Sequence, residues 1–158
     1  MNGTVPANAV REASAGESME SFAGMLKEHS LKATFQRMTI LSTIHKMGHC
    51  DVDEIYGSVR EIHPTISLAT VYKNILTMVE HDVLTEVPIA GKKSKFELKK
   101  RDHIHLVCTE CGMVTDRRLD DTIMSDTVGI AVESSFTLRS RQINLYGVCE
   151  ECTGKESR

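Results

Sequence analysis

The sequence predicts an α+β protein of two lobes, and three observations carry that prediction. Four stretches with helical apolar spacing fill the first half of the chain. Two short alternating runs around a glycine turn follow them. A small second half then carries two Cys-x-x-Cys pairs, Cys108/Cys111 and Cys149/Cys152. The expected division is a leader at 1–18, a helical domain at 19–98, a hinge at 99–101 and a metal-bearing α/β domain at 102–158.

The leader is rich in Ala, Gly, Ser, Glu and Asn, has no basic or apolar export region, and reads as disordered. The first helix, about Met19 to His29, sets Phe22, Met25 and Leu26 on one face. The second starts near Thr34, buries Met38, Ile40, Leu41 and Ile44, and stops at Gly48. The third opens on Asp51 with Glu54 three residues on, a capping-box variant, and aligns Ile55, Val59 and Ile62 before Pro64. The fourth begins after Ser67 as N-cap and buries Val71, Ile75, Met78 and Val79. Thr70, Lys73 and Asn74 fall on the other side, with Tyr72 at the border.

The β runs come next. Val83, Thr85, Val87 and Ile89 alternate in one and Phe96 and Leu98 in the other, about the basic turn Gly91-Lys92-Lys93. Helices closed by such a hairpin predict a winged helix-turn-helix. In the second half a strand through His103 and His105 leads to the first knuckle, and another runs through Met113, Val114 and Asp116. A helix from Asp120-Asp121 to about Ser134 follows, and a strand from Phe136 to Tyr146 delivers Cys149. With aromatics at 4% and no Trp, so small a lobe gains from a metal staple.

The chemistry divides by ligand type. Four thiolates form a closed tetrahedral set, which suits structural Zn2+ and leaves no position for water; four cysteines without an export signal favour metal over disulfide and a cytoplasmic location. His103 and His105 share a strand face, Glu97 and Asp116 lie on adjoining segments, and His49 can fold over the junction. Imidazoles with carboxylates suit Fe2+, Mn2+ or Zn2+, and the hard oxygens favour the first two. His29, His45, His63 and His81 read as surface or helix-end residues, and Cys50 as a small, partly buried side chain.

The polar face of the fourth helix, Ser67, Thr70, Tyr72, Lys73 and Asn74, has groups that can meet base edges and phosphates in a major groove. Lys92 and Lys93 on the wing, with Lys32 and Arg37 near the second helix, can neutralise phosphate without reading sequence. The net charge of −3 gives no global attraction to nucleic acid, and no apolar run is long enough to cross a bilayer. Two other classes compete: a metal-dependent hydrolase on the histidine/carboxylate cluster, and a zinc-stapled adaptor. No spare acid, base or nucleophile stands beside the cluster for the first, which would also leave the polar helix face without use; metal-dependent binding of duplex DNA separates a repressor from both.

Four segments, Leu31–Arg37, Ile66–Asn74, His103–Gly112 and Tyr146–Cys152, resemble the ferric uptake regulator family, collinearly from about Met19 to Cys152. The resemblance implies a homodimeric, metal-activated repressor with an N-terminal DNA-binding winged helix and a C-terminal dimerisation domain. It implies binding to A/T-rich inverted repeats of double-stranded DNA, no membrane and no enzymatic activity. The family's sensing site falls on His49, Glu97, His103, His105 and Asp116, its zinc site on Cys108, Cys111, Cys149 and Cys152, and its DNA-contacting tyrosine on Tyr72. A further metal site found in some members would need a ligand at Ile104 and a histidine near Arg141, so it is expected to be missing. Asp116, the Tyr146–Cys152 ending and Val71-Tyr72-Lys73-Asn74 are similar to the peroxide-sensing branch, in which a ligating histidine, here His49 or His103, is oxidised. Glu97 is more similar to the iron-uptake branch. The balance leans to peroxide sensing.

Overall fold

Three of the four helices in the first half begin where a side chain satisfies free backbone N–H groups. A computed structural model of the chain describes residues 19–156; the leader expected at 1–18 lies outside the described residues. Helices α1 (Met19–Glu28), α2 (Phe35–Met47), α3 (Val52–Ile62) and α4 (Leu68–Glu80) come first. Thr34 caps α2 and Ser67 caps α4, while Asp51 and Glu54 form the full capping box of α3. The apolar faces of the four helices meet in one core that includes Phe22, Leu26, Ile40, Leu41, Ile44, Ile55, Val59, Val71, Ile75 and Met78.

An antiparallel hairpin, β1 (Leu84–Val87) and β2 (Lys95–Leu98), packs on this core and completes the winged helix. The C-terminal lobe is a three-stranded sheet in the order β4-β3-β5, from β3 (His103–Cys108), β4 (Val114–Arg118) and β5 (Ile143–Gly147). β3 pairs antiparallel with β4 and parallel with β5, the crossover carrying α5 (Asp121–Glu133), which Asp120 caps. A short helix, α6 (Glu150–Glu156), starts inside the second knuckle.

Several expectations are corrected. The final strand does not run from Phe136; it is confined to Ile143–Gly147, because only those residues have β3 beside them to pair with. Ile62 is 57% exposed, since it ends α3 beyond the edge of the core. The hairpin runs do not alternate between a dry and a wet face: Val83 and Leu84 are both buried, and so are Phe96 and Glu97. β2 is covered on both sides, with Phe96 in the helical core and Glu97 under the C-terminal lobe. Cys50 is fully buried, not partly. α6 was not expected from the sequence. Among the described residues, no helix is long and apolar enough to cross a membrane.

Candidate metal centre

Gly48 takes φ +81, a conformation in which a side chain is strained, and its N–H closes α2 on Ile44 O. The turn sends the next residues back along β2. Cys50 and Phe96 exchange backbone hydrogen bonds of 3.2 and 2.8 Å, an isolated bridge outside the hairpin proper. His49 is thereby fixed beside Glu97. On the other lobe, the β3/β4 register sets His105 directly opposite Asp116, with His103 two residues away on the same face.

These five side chains converge. His49 Nε2 lies 3.1 Å from Glu97 Oε2 and 3.0 Å from Asp116 Oδ1. His103 Nε2 is 3.0 Å and His105 Nε2 2.9 Å from Glu97 Oε1, and the two Nε2 atoms are 2.8 Å apart. One ligand atom from each residue falls within 4.8 Å of all the others. His49 Nε2, Glu97 Oε2 and Asp116 Oδ1 are buried close together yet lack hydrogen-bonding geometry. Buried polar atoms held by charge contacts alone, without a well-formed hydrogen bond, are costly, and a shared cation would satisfy all three at once.

The outer nitrogens are held so that each Nε2 faces the carboxylates of the cluster. His105 Nδ1 donates to Asn144 Oδ1 at 2.8 Å and His103 Nδ1 to the Arg101 carbonyl at 2.8 Å, which fixes the tautomer that turns each Nε2 lone pair inward. Asn144 was missed in the sequence; its cue is the β3/β5 register, which pairs it with His105. Asn144 Nδ2 in turn contacts Tyr146 Oη at 3.3 Å, and Tyr146 donates to Pro88 O at 2.9 Å, tying the sheet to the hairpin.

The electrostatics match a cation site. Burial pushes the Glu97 carboxyl up, but contacts from His103, His105, His49 and Lys100 outweigh it and hold it well below the carboxylate range. Asp116 is likewise held low against burial by His103, His49 and Lys100. Burial works against a proton on His103, yet Asp116 and Glu97 raise its pKa to about 10; His49 is raised by the same two carboxylates. Two ionised carboxylates surrounded by imidazoles demand positive charge, and a divalent ion supplies it without the imidazole protons.

The sulfur cluster is built from the two knuckles. Gly112, at φ +76, closes the first by donating its N–H to Cys108 O, and Cys149 O accepts from Cys152 N and Thr153 N in the second. All four sulfurs lie within 4.8 Å of one another, and Cys111 Sγ is 3.8 Å from Cys149 Sγ. Four thiolates about 2.3 Å from one ion stand about 3.8 Å apart at the corners of a tetrahedron, so the set fits a tetrahedral metal. Backbone N–H groups of Cys111 and Cys149 lower the Cys108 thiol to about 6, while the sulfur of Cys149 beside it pushes Cys152 up to about 12.

The polar helix face is partly committed to holding itself. Ser67 Oγ accepts from Thr70 N and meets Thr70 Oγ1 at 2.8 Å. Arg37 Nε donates to Asn74 Oδ1 at 3.1 Å and Arg37 Nη1 to Lys32 O at 3.0 Å, locking α4 against the start of α2. Tyr72 and Lys73 project into solvent, as do Lys32 and Lys92, whereas Lys93 ion-pairs with Asp53. Where the further metal site would need a histidine, Arg141 instead bonds Asp102 at 2.5 Å and Thr127 at 2.6 Å; Ile104 offers no ligand atom.

Comparison with known proteins agrees with this geometry. Residues 28–146 match the Ferric uptake regulator family. The chain is 31% identical over 133 residues to the peroxide operon regulator of Bacillus subtilis, covering 84% of this chain and 91% of that one. It is 35% identical over 130 residues to the ferric uptake regulation protein of Bordetella parapertussis, covering 80% and 93%. Among solved structures, the Campylobacter jejuni peroxide stress regulator superposes with a TM-score of 0.68 at 32% identity, covering 82% of this chain and 97% of that one. Two metal-ligand clusters, a winged helix and a match across most of the chain lead to one conclusion: the chain belongs to the ferric uptake regulator family, a metal-dependent, DNA-binding transcription regulator and not an enzyme.

Proposed function

We propose that the chain is a homodimeric repressor whose sulfur cluster holds structural Zn2+ and whose nitrogen/oxygen cluster binds Fe2+ or Mn2+ as the signal. The observation that carries this reading is the convergence of donors from both lobes, His49 and Glu97 on one side and His103, His105 and Asp116 on the other, within 4.8 Å. Filling that cluster ties the winged helix to the C-terminal sheet, because each lobe alone supplies an incomplete set. The ion supplies two positive charges and a preference for hard oxygen and imidazole donors. With the lobes fixed, α4 of each copy is held at the spacing of two half-sites in an A/T-rich inverted repeat, with Tyr72 and Lys73 exposed towards the groove. Preference for the closed arrangement by about 3 kcal/mol changes the DNA-competent population roughly a hundredfold.

The dimer is supported by the face of the sheet opposite the metal cluster. Leu106 and Leu145 are aligned in register and exposed there, and Val128, Ile130, Val132 and Phe136 are exposed on and after α5. A second copy covering these side chains removes a patch that a monomer would leave wet.

We further place the protein in the peroxide-responsive branch. Net transfer of one oxygen atom from peroxide to the imidazole of His49 or His103, with release of water, would spoil a ligand and free the lobes. The iron-responsive reading stays as the second one, on the observation that the fifth ligand is Glu97. Mobility shift of an A/T-rich inverted-repeat duplex should require Mn2+, and His103→Ala should lose that requirement's benefit while keeping zinc and dimer. Binding that is indifferent to metal would overturn the repressor scheme. Iron-loaded protein treated with peroxide should gain one oxygen on a peptide carrying His49 or His103; loss of DNA binding on metal removal alone, without that oxygen, assigns the iron-responsive branch.

A further inference from the structure

A sixth side chain at the nitrogen/oxygen cluster is not a metal donor. Lys100 stands in the link between β2 and β3, and its Nζ lies 2.8 Å from Glu97 Oε2 while also ion-pairing with Asp116 Oδ2. Glu97 comes from the hairpin and Asp116 from β4. The ammonium therefore bridges the same two carboxylates, from the same two lobes, that a divalent ion would bridge. Its side chain is 44% exposed and lines an open cavity with Lys99, Asp102, His103 and Arg141, so it has room to withdraw. An ammonium is a compact charge on a flexible stem, able to neutralise carboxylates but unable to accept an imidazole lone pair. Two cations drawing on the same two carboxylates, with Glu97 Oε2 in common, repel each other in a partly buried site, so one has to leave for the other to enter.

We propose that Lys100 is a built-in competitor for the sensing metal, a residue that sets how much metal is needed to fill the site. In the metal-free protein Lys100 holds Glu97 and Asp116 together as a surrogate charge. Metal entry displaces its ammonium into solvent, and the cost of that displacement weakens apparent affinity. Only the charge matters for this role: arginine should preserve it and glutamine should remove it. The inference rests on the reading of this cluster as the sensing site.

The test titrates Mn2+ alone into the zinc-loaded full chain, with unbound Mn2+ read by electron paramagnetic resonance. Lys100→Gln should bind about tenfold tighter than the parent, the size expected from losing a partly exposed double ion pair, while Lys100→Arg should stay within about twofold. Amide hydrogen exchange of the metal-free proteins gives a second readout. Residues 97–103 should exchange faster in Lys100→Gln than in the parent, because the surrogate clamp is gone. Unchanged or weaker Mn2+ binding in Lys100→Gln overturns the competitor role, as does Lys100→Arg behaving like Lys100→Gln. A parent protein that shows no saturable Mn2+ site sensitive to His103→Ala overturns the sensing-site reading itself, and this inference with it.

Discussion

The helical lobe buries Phe22, Leu26, Ile40, Leu41, Ile44, Ile55, Ile75 and Met78 around one continuous core, whereas the second apolar cluster consists of Val107 with Val114 packed against Val87 and Ile89 of the hairpin. On the C-terminal side the sheet presents Leu106, Leu145 and Tyr146 to solvent, and α5 presents Val128, Ile130 and Val132. One lobe is thus stabilised by apolar burial within its own chain. The other is short of internal core, and under the proposed function it draws on coordination at the four sulfurs and on surface covered by another copy. On the proposed function, metal dependence of folding and metal dependence of DNA binding belong to different places: the sulfur set would stabilise a lobe, and the nitrogen/oxygen set would join two lobes.

The largest effect that would break this contrast comes from the sulfur set. Cys149→Ser should abolish zinc retention and unfold the C-terminal lobe, since structural zinc binding contributes on the order of 10 kcal/mol in small domains. Far-ultraviolet circular dichroism should retain most of the signal of α1–α4, while amide resonances of β3, β4 and β5 collapse. A C-terminal lobe that stays folded without zinc would mean its sheet is self-sufficient. The complementary change, Ile44→Ala or Ile75→Ala, should cost about 2–5 kcal/mol because both side chains are fully buried, and should leave zinc content untouched. Equal loss of zinc in both variants would show that the lobes fold as one unit.

The same contrast explains what could be read in the sequence. Helix starts at Thr34, Asp51, Ser67 and Asp120 are local chemistry, each cap reaching only two or three residues along, and all four were legible. The knuckles were legible for the same reason. The ligand set combined His103 and His105, two residues apart, with Glu97, Asp116 and His49 from segments able to fold against them, and the resemblance fell on the same five residues. What stayed hidden depends on distant partners. The Cys50/Phe96 bridge that seats His49, the parallel β3/β5 register that brings Asn144 to His105, and the second partner of Lys100 each join residues far apart in the chain. Burial of Glu97 was hidden too, because alternation describes a strand with one wet face and β2 has none.

A medium effect sharpens the division within the metal cluster. Asn144→Ala should leave zinc, fold and dimer intact but weaken Mn2+ binding about tenfold or more, because His105 loses the acceptor at 2.8 Å that fixes its tautomer. Calorimetric titration of the zinc-loaded protein reads this directly. Unaltered affinity would mean that burial alone orients His105, which is 1% exposed.

The smallest effect probes whether the helical lobe transmits anything to the cluster. Asp51 accepts from the backbone N–H groups of Asp53 and Glu54, and its other oxygen is 3.3 Å from Lys95 Nζ on β2. Asp51→Ala should cost about 1 kcal/mol, the usual worth of an N-cap, with Lys95 keeping its 2.7 Å contact to Glu54. A loss confined to thermal stability means that the cap serves α3 alone. Because Asp51 directly follows the Cys50 bridge and His49, fraying there should also loosen one metal donor, so Mn2+ affinity should fall about two- to threefold while that of a Ser67→Ala variant, capped at the far end of α3's connection to α4, should not change. Equal Mn2+ affinities in the two cap variants would show that the bridge at Phe96, and not the start of α3, holds His49 in place.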